Sequence, residues 1–356
     1  MKLITSLPST LSTSYARDSR LLNSGFIRFW VLIGLLVAVL LPPFLTNFWA
    51  GVVNQALIAI IGALALNLLM GTTGQISLGH AGFIAAGAFT AAVLVTNFNA
   101  PIAMVLVTAT AVGAILGVVV GLPALRLKGL YLAVSTLAAH FVILVGLGQY
   151  QATISYGSGF TLSVPSILGF EIRSELRWYY VLLPLTVGVL LIIVNWLRSA
   201  FGRAWMAIRH REISAESLGV NAARYKLLAF AASTALTCFS GALWAYHTGF
   251  VSVEAFDIGM LIQYLAMVII GGLGSILGSV LGAIFVIVLP HLISYGTEAL
   301  PFLKPLGDRI FEIQIGLFGL IMLLFLVFEP RGLAGVWARV RFYFQLWPFK
   351  YRFWES

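Results

Sequence analysis

The chain has 356 residues, 60% of them hydrophobic and only 9% charged, with a net charge of +9. Soluble domains carry roughly 25% charged residues, whereas here no Lys, Arg, Asp or Glu occurs between Arg28 and Arg126, which excludes a water-soluble fold and identifies a polytopic membrane protein. A lone cysteine, Cys238, lies in an apolar run and excludes an internal disulfide scaffold and a cysteine-based metal site.

Residues 1–27 are Ser/Thr-rich and lack the short apolar core and cleavage site of a signal peptide, so a cytoplasmic N-terminal tail is expected. A membrane domain follows over 28–328. Because about 20 apolar residues cross the hydrocarbon, spans are predicted near 28–46, 49–69, 80–97, 101–122, 129–148, 178–197, 227–249, 259–273, 277–294 and 311–328. The fold class predicted is therefore all-α: a polytopic transmembrane helical bundle of about ten spans, some interrupted by glycine. Pro42 and Pro43 should end or kink the first span, and Pro101 suits the first turn of the fourth.

Between the second and third spans lies GTTGQISLGHAGFIAAGAF, Gly71–Phe89. Gly71 and Gly74 bracket a poor helix sequence, and a broken backbone is tolerated at membrane depth only where protein or a water-filled cavity satisfies it. Gln75, Ser77 and His80 follow. They either line a pathway or serve to satisfy the backbone freed by the glycines. Gly82, Ala86 and Thr90 recur every four residues, a small-residue seam for close helix contact. His80 has no histidine at metal-ligand spacing, and no metal site is expected.

Basic residues set the sidedness. Arg17, Arg20 and Arg28 flank the first span, which puts the N-terminus in the cytoplasm. Alternating crossings then place Arg126 and Lys128 inside and the loop 149–177 outside, where Glu171, Arg173, Glu175 and Arg177 cancel. The loop 198–226, with Arg198, Arg203, Arg209, Arg211, Arg224 and Lys226, falls inside. So does the basic C-terminal tail, 329–356, with Arg331, Arg339, Arg341, Lys350 and Arg352. The positive charge is thus read as topology, not as affinity for nucleic acid.

The loop 198–226 is too long for a hairpin, and its Ala, Met, Glu and Arg favour helix. Met206, Ile213 and Leu218 form a candidate docking face for a motor subunit, with Arg209, Glu212 and Glu216 orienting it. The competing reading is a basic amphipathic helix resting on lipid head groups. Further along, IIGGLGSILGSVLGAIF repeats the G-x-x-G signature with Gly271 and Gly274. Paired Gly-interrupted segments in two halves point to a transport pathway. Gly278 and Gly282 serve helix packing equally well.

No phosphate loop, paired intramembrane carboxylates or His/Asp/Glu cluster is present. No Asp or Glu lies mid-span, which disfavours ion-coupled carriers, since these keep a charge in the membrane. No catalytic residue, metal or cofactor is expected. Energy for any transport is expected to come from elsewhere.

Five stretches carry a family resemblance: NLLMGTTGQISLGHAGFIAAGAF, LRLKGLYLAVSTLA, RSAFGRAWMAIRHREISAESLGVNAARYKLLAF, AMVIIGGLGSILGSVLGA and FEPRGLAG. Together they resemble the LivM-type permease subunits of branched-chain amino-acid ABC importers, from about residue 50 to residue 335. The resemblance implies the ABC-importer permease fold and a multi-pass subunit of a bacterial inner membrane. It implies a second related permease subunit (LivH-type), two cytoplasmic ATP-binding subunits and a periplasmic substrate-binding protein as partners. The stretch with Glu212, Ala215, Glu216 and Gly219 is similar to the family's ATPase-coupling helix, with one extra residue between Glu212 and Gly219 relative to the general E-A-A-x-x-x-G spacing. A polar, uncharged lining of Gln75, Ser77, Thr136 and Gln263 would suit a small zwitterion such as Leu, Ile or Val. It would suit urea or a short amide equally.

Overall fold

The computed structural model describes residues 42–127, 129–167, 170–299 and 332–346, with single positions in 34–40 and 316–328. The predicted spans 28–46 and 311–328 fall largely outside the described residues. Among these, seven helices are long and apolar enough to cross a membrane. They are α1 (Asn47–Asn67, prolonged by a wider turn to Thr72), α2 (His80–Phe98), α3 (Ile102–Ala124), α4 (Leu130–Ser155), α5 (Glu175–Arg198), α8 (Ala222–Thr248) and α10 (Ile276–Ala299, apolar to Tyr295). Two short helices, α6 (Ala200–His210) and α7 (Glu212–Ser217), fill the loop between α5 and α8. The apolar helix α9 (Ile258–Gly271) has only 14 residues, and α11 (Gly332–Leu346) lies in the basic C-terminal segment.

Helix starts follow side-chain capping. Ser174, Ser199, Asn221 and Asp257 each accept a hydrogen bond from the backbone of the first turn they precede. Pro101 is the residue before α3, not a member of its first turn. α4 runs to Ser155, longer than expected, so the loop to α5 is correspondingly shorter.

The bundle is built around α1, α2 and α8, whose apolar windows are 83%, 67% and 61% buried; those of α3, α4, α5 and α10 are only 22–28% buried. Since lipid is as apolar as leucine, helices in a membrane associate through close packing of small residues. Ala109, Gly113 and Gly117 put α3 on α8, where a side chain at Gly117 would strike the Thr234 hydroxyl. Gly87 of α2 and Gly241 of α8 each meet a backbone carbonyl of the other helix, those of Cys238 and Ile84. The Cys238 thiol is buried and donates to the Phe83 carbonyl at 3.0 Å. Gly278 and Gly282 of α10 face the Gly271 and Met267 carbonyls of α9, so both serve helix packing.

At the end opposite the α6–α7 loop, short strands tie the connections down. β1 (Phe160–Thr161) pairs antiparallel with β4 (Phe250–Val251), and β2 (Ser166–Ile167) with β3 (Phe170–Glu171). Phe160 plugs between Phe89 of α2 and Tyr150 of α4, with ring centroids 5.9 and 5.8 Å away. Beside it, the Gln151 amide reaches the Val253 N–H at 2.9 Å and Glu254 at 3.4 Å. Glu254's own backbone N–H holds its carboxyl below the ordinary carboxylate range; partial burial opposes this, and Ser252 and Gln151 add to it.

Candidate functional site

The polar stretch predicted from sequence forms a backbone break at the end of the bundle that carries α6 and α7. After Asn67 the regular pattern of α1 widens into a π-type turn, Leu68–Thr72. Such turns leave carbonyls without their usual partners and recur at functional sites. Thr72 and Thr73 return their hydroxyls to the Leu68 and Leu69 carbonyls, the latter at 2.6 Å. Gly74 then takes a φ of +71°, a conformation open to glycine at little cost, and the chain runs irregularly to His80.

Of the polar side chains here, Gln75, Ser77 and Thr136 are buried and serve the backbone. Gln75 donates to the Lys226 carbonyl at 3.4 Å, and Ser77 accepts from the Gly79 N–H at 3.4 Å. Thr136 of α4 accepts from the Leu78 N–H at 2.8 Å and donates to Ala133. His80 is buried in the first turn of α2, its Nδ1 3.4 Å from the Thr237 hydroxyl and its ring 5.0 Å from that of Tyr264. Leaving such groups unpaired in a membrane interior costs several kcal/mol each, on the order given by hydrocarbon transfer. Gly82, two residues on, packs on His140 of α4, whose ring is fully buried and whose two nitrogens have no hydrogen-bond partner among the described residues.

The second glycine segment is the turn between α9 and α10, with Gly272 at φ +111° and Gly274 at +85°. It lies against the first. A side chain at Gly71 would collide with the backbone of Gly274. Asn67 spans the gap: its Oδ1 accepts from the Gly274 N–H at 2.8 Å, and its Nδ2 donates to the Ser275 carbonyl at 3.0 Å. Gly332, at the start of α11, closes on the same turn, against Ile270 and Gly272. Gly71, Gly74, Gly271 and Gly274 are thus brought together, with Gln75, Ser77, His80 and Thr136 alongside. Gln263 is not among them; it sits exposed on α9 next to the buried Tyr264.

The loop residues divide by direction. Ala215 is buried with Ile208 and Ala222, and Trp205 anchors α6 to α8 by donating to the Tyr225 carbonyl at 2.9 Å. Glu212 turns inward to Lys226 at 2.5 Å, and both side chains are mostly enclosed. Arg209 is exposed, but its Nη1 reaches back to donate to the Gly71 carbonyl. Leu218 and Ile213 face outward, 85% and 78% exposed, with Glu216 beside them; Gly219 makes the turn that follows, at φ +86°.

Sequence reasoning missed Asn67, Lys226 and Tyr264. Asn67 was visible as a polar residue four positions before Gly71 in an otherwise apolar run. Its partners are 207 and 208 residues away, which no local pattern reveals.

Comparison with known proteins agrees with this architecture. Residues 48–326 match the family described as the branched-chain amino acid transport system / permease component. The chain is 33% identical over 330 residues to the high-affinity branched-chain amino acid transport system permease protein LivM of Escherichia coli K12, covering 85% of this chain and 74% of that one. Against the protein of the same name from Salmonella typhimurium LT2 it is 32% identical over 324 residues, 84% of this chain and 73% of the relative. A probable LivM of Methanocaldococcus jannaschii is 26% identical over 298 residues, 80% of this chain and 86% of that one. No solved structure matches. Since the family match takes in every long span described, the chain belongs to the family of branched-chain amino acid transport permease components.

Proposed function

We propose that this chain is one membrane subunit of an ATP-driven importer of branched-chain amino acids in a bacterial cytoplasmic membrane, with both termini inside. The observation that carries this reading is the α6–α7 loop of a chain without a nucleotide-binding motif. It is an anchored two-helix ledge whose tip exposes two large apolar side chains, Leu218 and Ile213, among polar ones. An interface core wants apolar side chains on a firm support, with charge kept at the rim. Two cytoplasmic ATP-binding subunits, a second related permease subunit and a periplasmic binding protein complete the assembly in this reading. Leu, Ile and Val are the substrates, as the names of the bacterial relatives support.

The inner end of the translocation pathway lies at the two glycine breaks, with Gln75, Ser77, His80 and Thr136 beside them. High affinity then resides in the binding protein, and the pathway binds weakly enough to release its cargo.

The test is reconstitution of the assembled complex in liposomes. Binding protein loaded with Leu, Ile or Val should stimulate both ATP hydrolysis and uptake. A response to urea or a short amide alone would reassign the substrate. Uptake by this chain without an ATPase would make it a stand-alone carrier and overturn the reading.

A further inference from the structure

The first glycine break is the C-terminus of α1, and the second is the turn that leads from the C-terminus of α9 into the N-terminus of α10. α1 reaches its end through the turn Leu68–Thr72, and α9 ends at Gly271. A helix end leaves its last carbonyls unpaired and carries about half a negative charge. Arg209 reaches both breaks from α6, the first helix of the loop. Its Nη1 donates to the Gly71 carbonyl at the end of α1. The same nitrogen lies over the α9–α10 turn, 2.7 Å from where a Cβ on Gly274 would be, and its Cγ is 3.4 Å from the corresponding point on Gly74. One side chain therefore rests on Gly71 and Gly74 of the first break and Gly274 of the second.

The neighbouring contacts make this a linkage and not a passing touch. Asn67 fastens the breaks to each other. Trp205 and the Glu212–Lys226 pair fasten the loop to the start of α8 on either side of Arg209. Gln75, just past the first break, bonds to the carbonyl of that same Lys226. Arg209 is thus the contact through which α6 touches Gly71 and Gly274.

We infer that Arg209 is a positioning residue that transmits movement of the α6–α7 loop to both glycine breaks at once. This rests on the reading that the loop is what a partner ATPase moves. Arginine suits the role because its planar group offers five donors in fixed directions and keeps its charge. Lysine is a single mobile point charge, able to meet one break but not to hold both.

The test uses Arg209→Gln and Arg209→Lys in the full importer complex. For Arg209→Gln, uptake per ATP hydrolysed should fall about tenfold, the effect expected from one lost hydrogen bond to a charged group. The ATPase should still co-purify. Backbone amide deuterium exchange should rise in both 71–79 and 272–276, and Arg209→Lys should restore part of the uptake. Unchanged uptake per ATP would overturn the inference, as would loss of ATPase co-purification, which would make Arg209 a docking contact. Faster exchange in only one segment would also overturn it. Should the unaltered complex show no ATP-dependent uptake, the importer reading fails, while the exchange comparison still decides whether Arg209 joins the two breaks.

Discussion

Asn67 stands at the point where α1 stops being regular, and both ends of its amide are used by a turn 207 and 208 residues away in sequence. An asparagine presents a donor and an acceptor side by side, which is the pattern the Gly274 N–H and the Ser275 carbonyl require. Asn67→Asp keeps the size but sets an oxygen against the Ser275 carbonyl. We predict that it lowers stability by about 1–3 kcal/mol, the cost of a buried group left unsatisfied, read as a fall in the thermal midpoint in detergent. An unchanged midpoint would mean that the α9–α10 turn is held by packing alone. Asn54 follows the same logic at the other end of α1. It is fully buried and donates at 2.8 Å to the backbone carbonyl and the carboxylate of Glu175, which also meets His247 at 3.1 Å. Glu175, read from sequence as one of four cancelling loop charges, is instead the first residue of α5. Polar residues inside spans announce that a partner exists. They do not name it, because that depends on which spans pack together.

At the scale of elements, the loop 198–226 is helical, as its composition predicts, but it is split by Arg211, whose extended backbone separates α6 from α7. Across the two helices Arg209 and Glu212 reach toward the bundle, while Leu218, just past the end of α7, faces away. Residue type alone could not sort them, since α7 is shorter than two full turns and has no readable amphipathic period. Leu218→Asp adds a charge at a position already in solvent, where substitutions change stability by within about 0.5 kcal/mol. We predict normal insertion of that variant but loss of ATPase co-purification, because charge is excluded from interface cores. Ala215→Asp is the contrasting case: it buries a charge beneath the loop and should reduce the amount of folded permease instead. Co-purification of Leu218→Asp at the level of the parent would move the docking surface off this ledge.

At the scale of the whole molecule, eight of the predicted spans have counterparts among the described helices, if α9 is included. Hydropathy made them legible because a bilayer imposes one length on every crossing. α9 departs from that rule: 14 residues rise about 21 Å, short of the roughly 30 Å hydrocarbon core. Its turn at Gly272–Ser275 therefore lies level with the end of α1 and beneath the loop, which is why one Asn and one Arg can reach both. Orientation is a separate matter, carried by the basic residues of 198–226 and the C-terminal segment, and it is open to direct measurement. Ser158 is exposed in the connection after α4, and Ser217 is exposed at the end of α7. Cys238 is fully buried, so the unaltered chain supplies a silent background for thiol labelling. Ser158→Cys should react with an impermeant maleimide in intact spheroplasts, and Ser217→Cys only in inside-out vesicles. The reverse pattern would invert the protein in the membrane. It would set the α6–α7 ledge on the side without ATP, and the ATP-driven reading would fall with it.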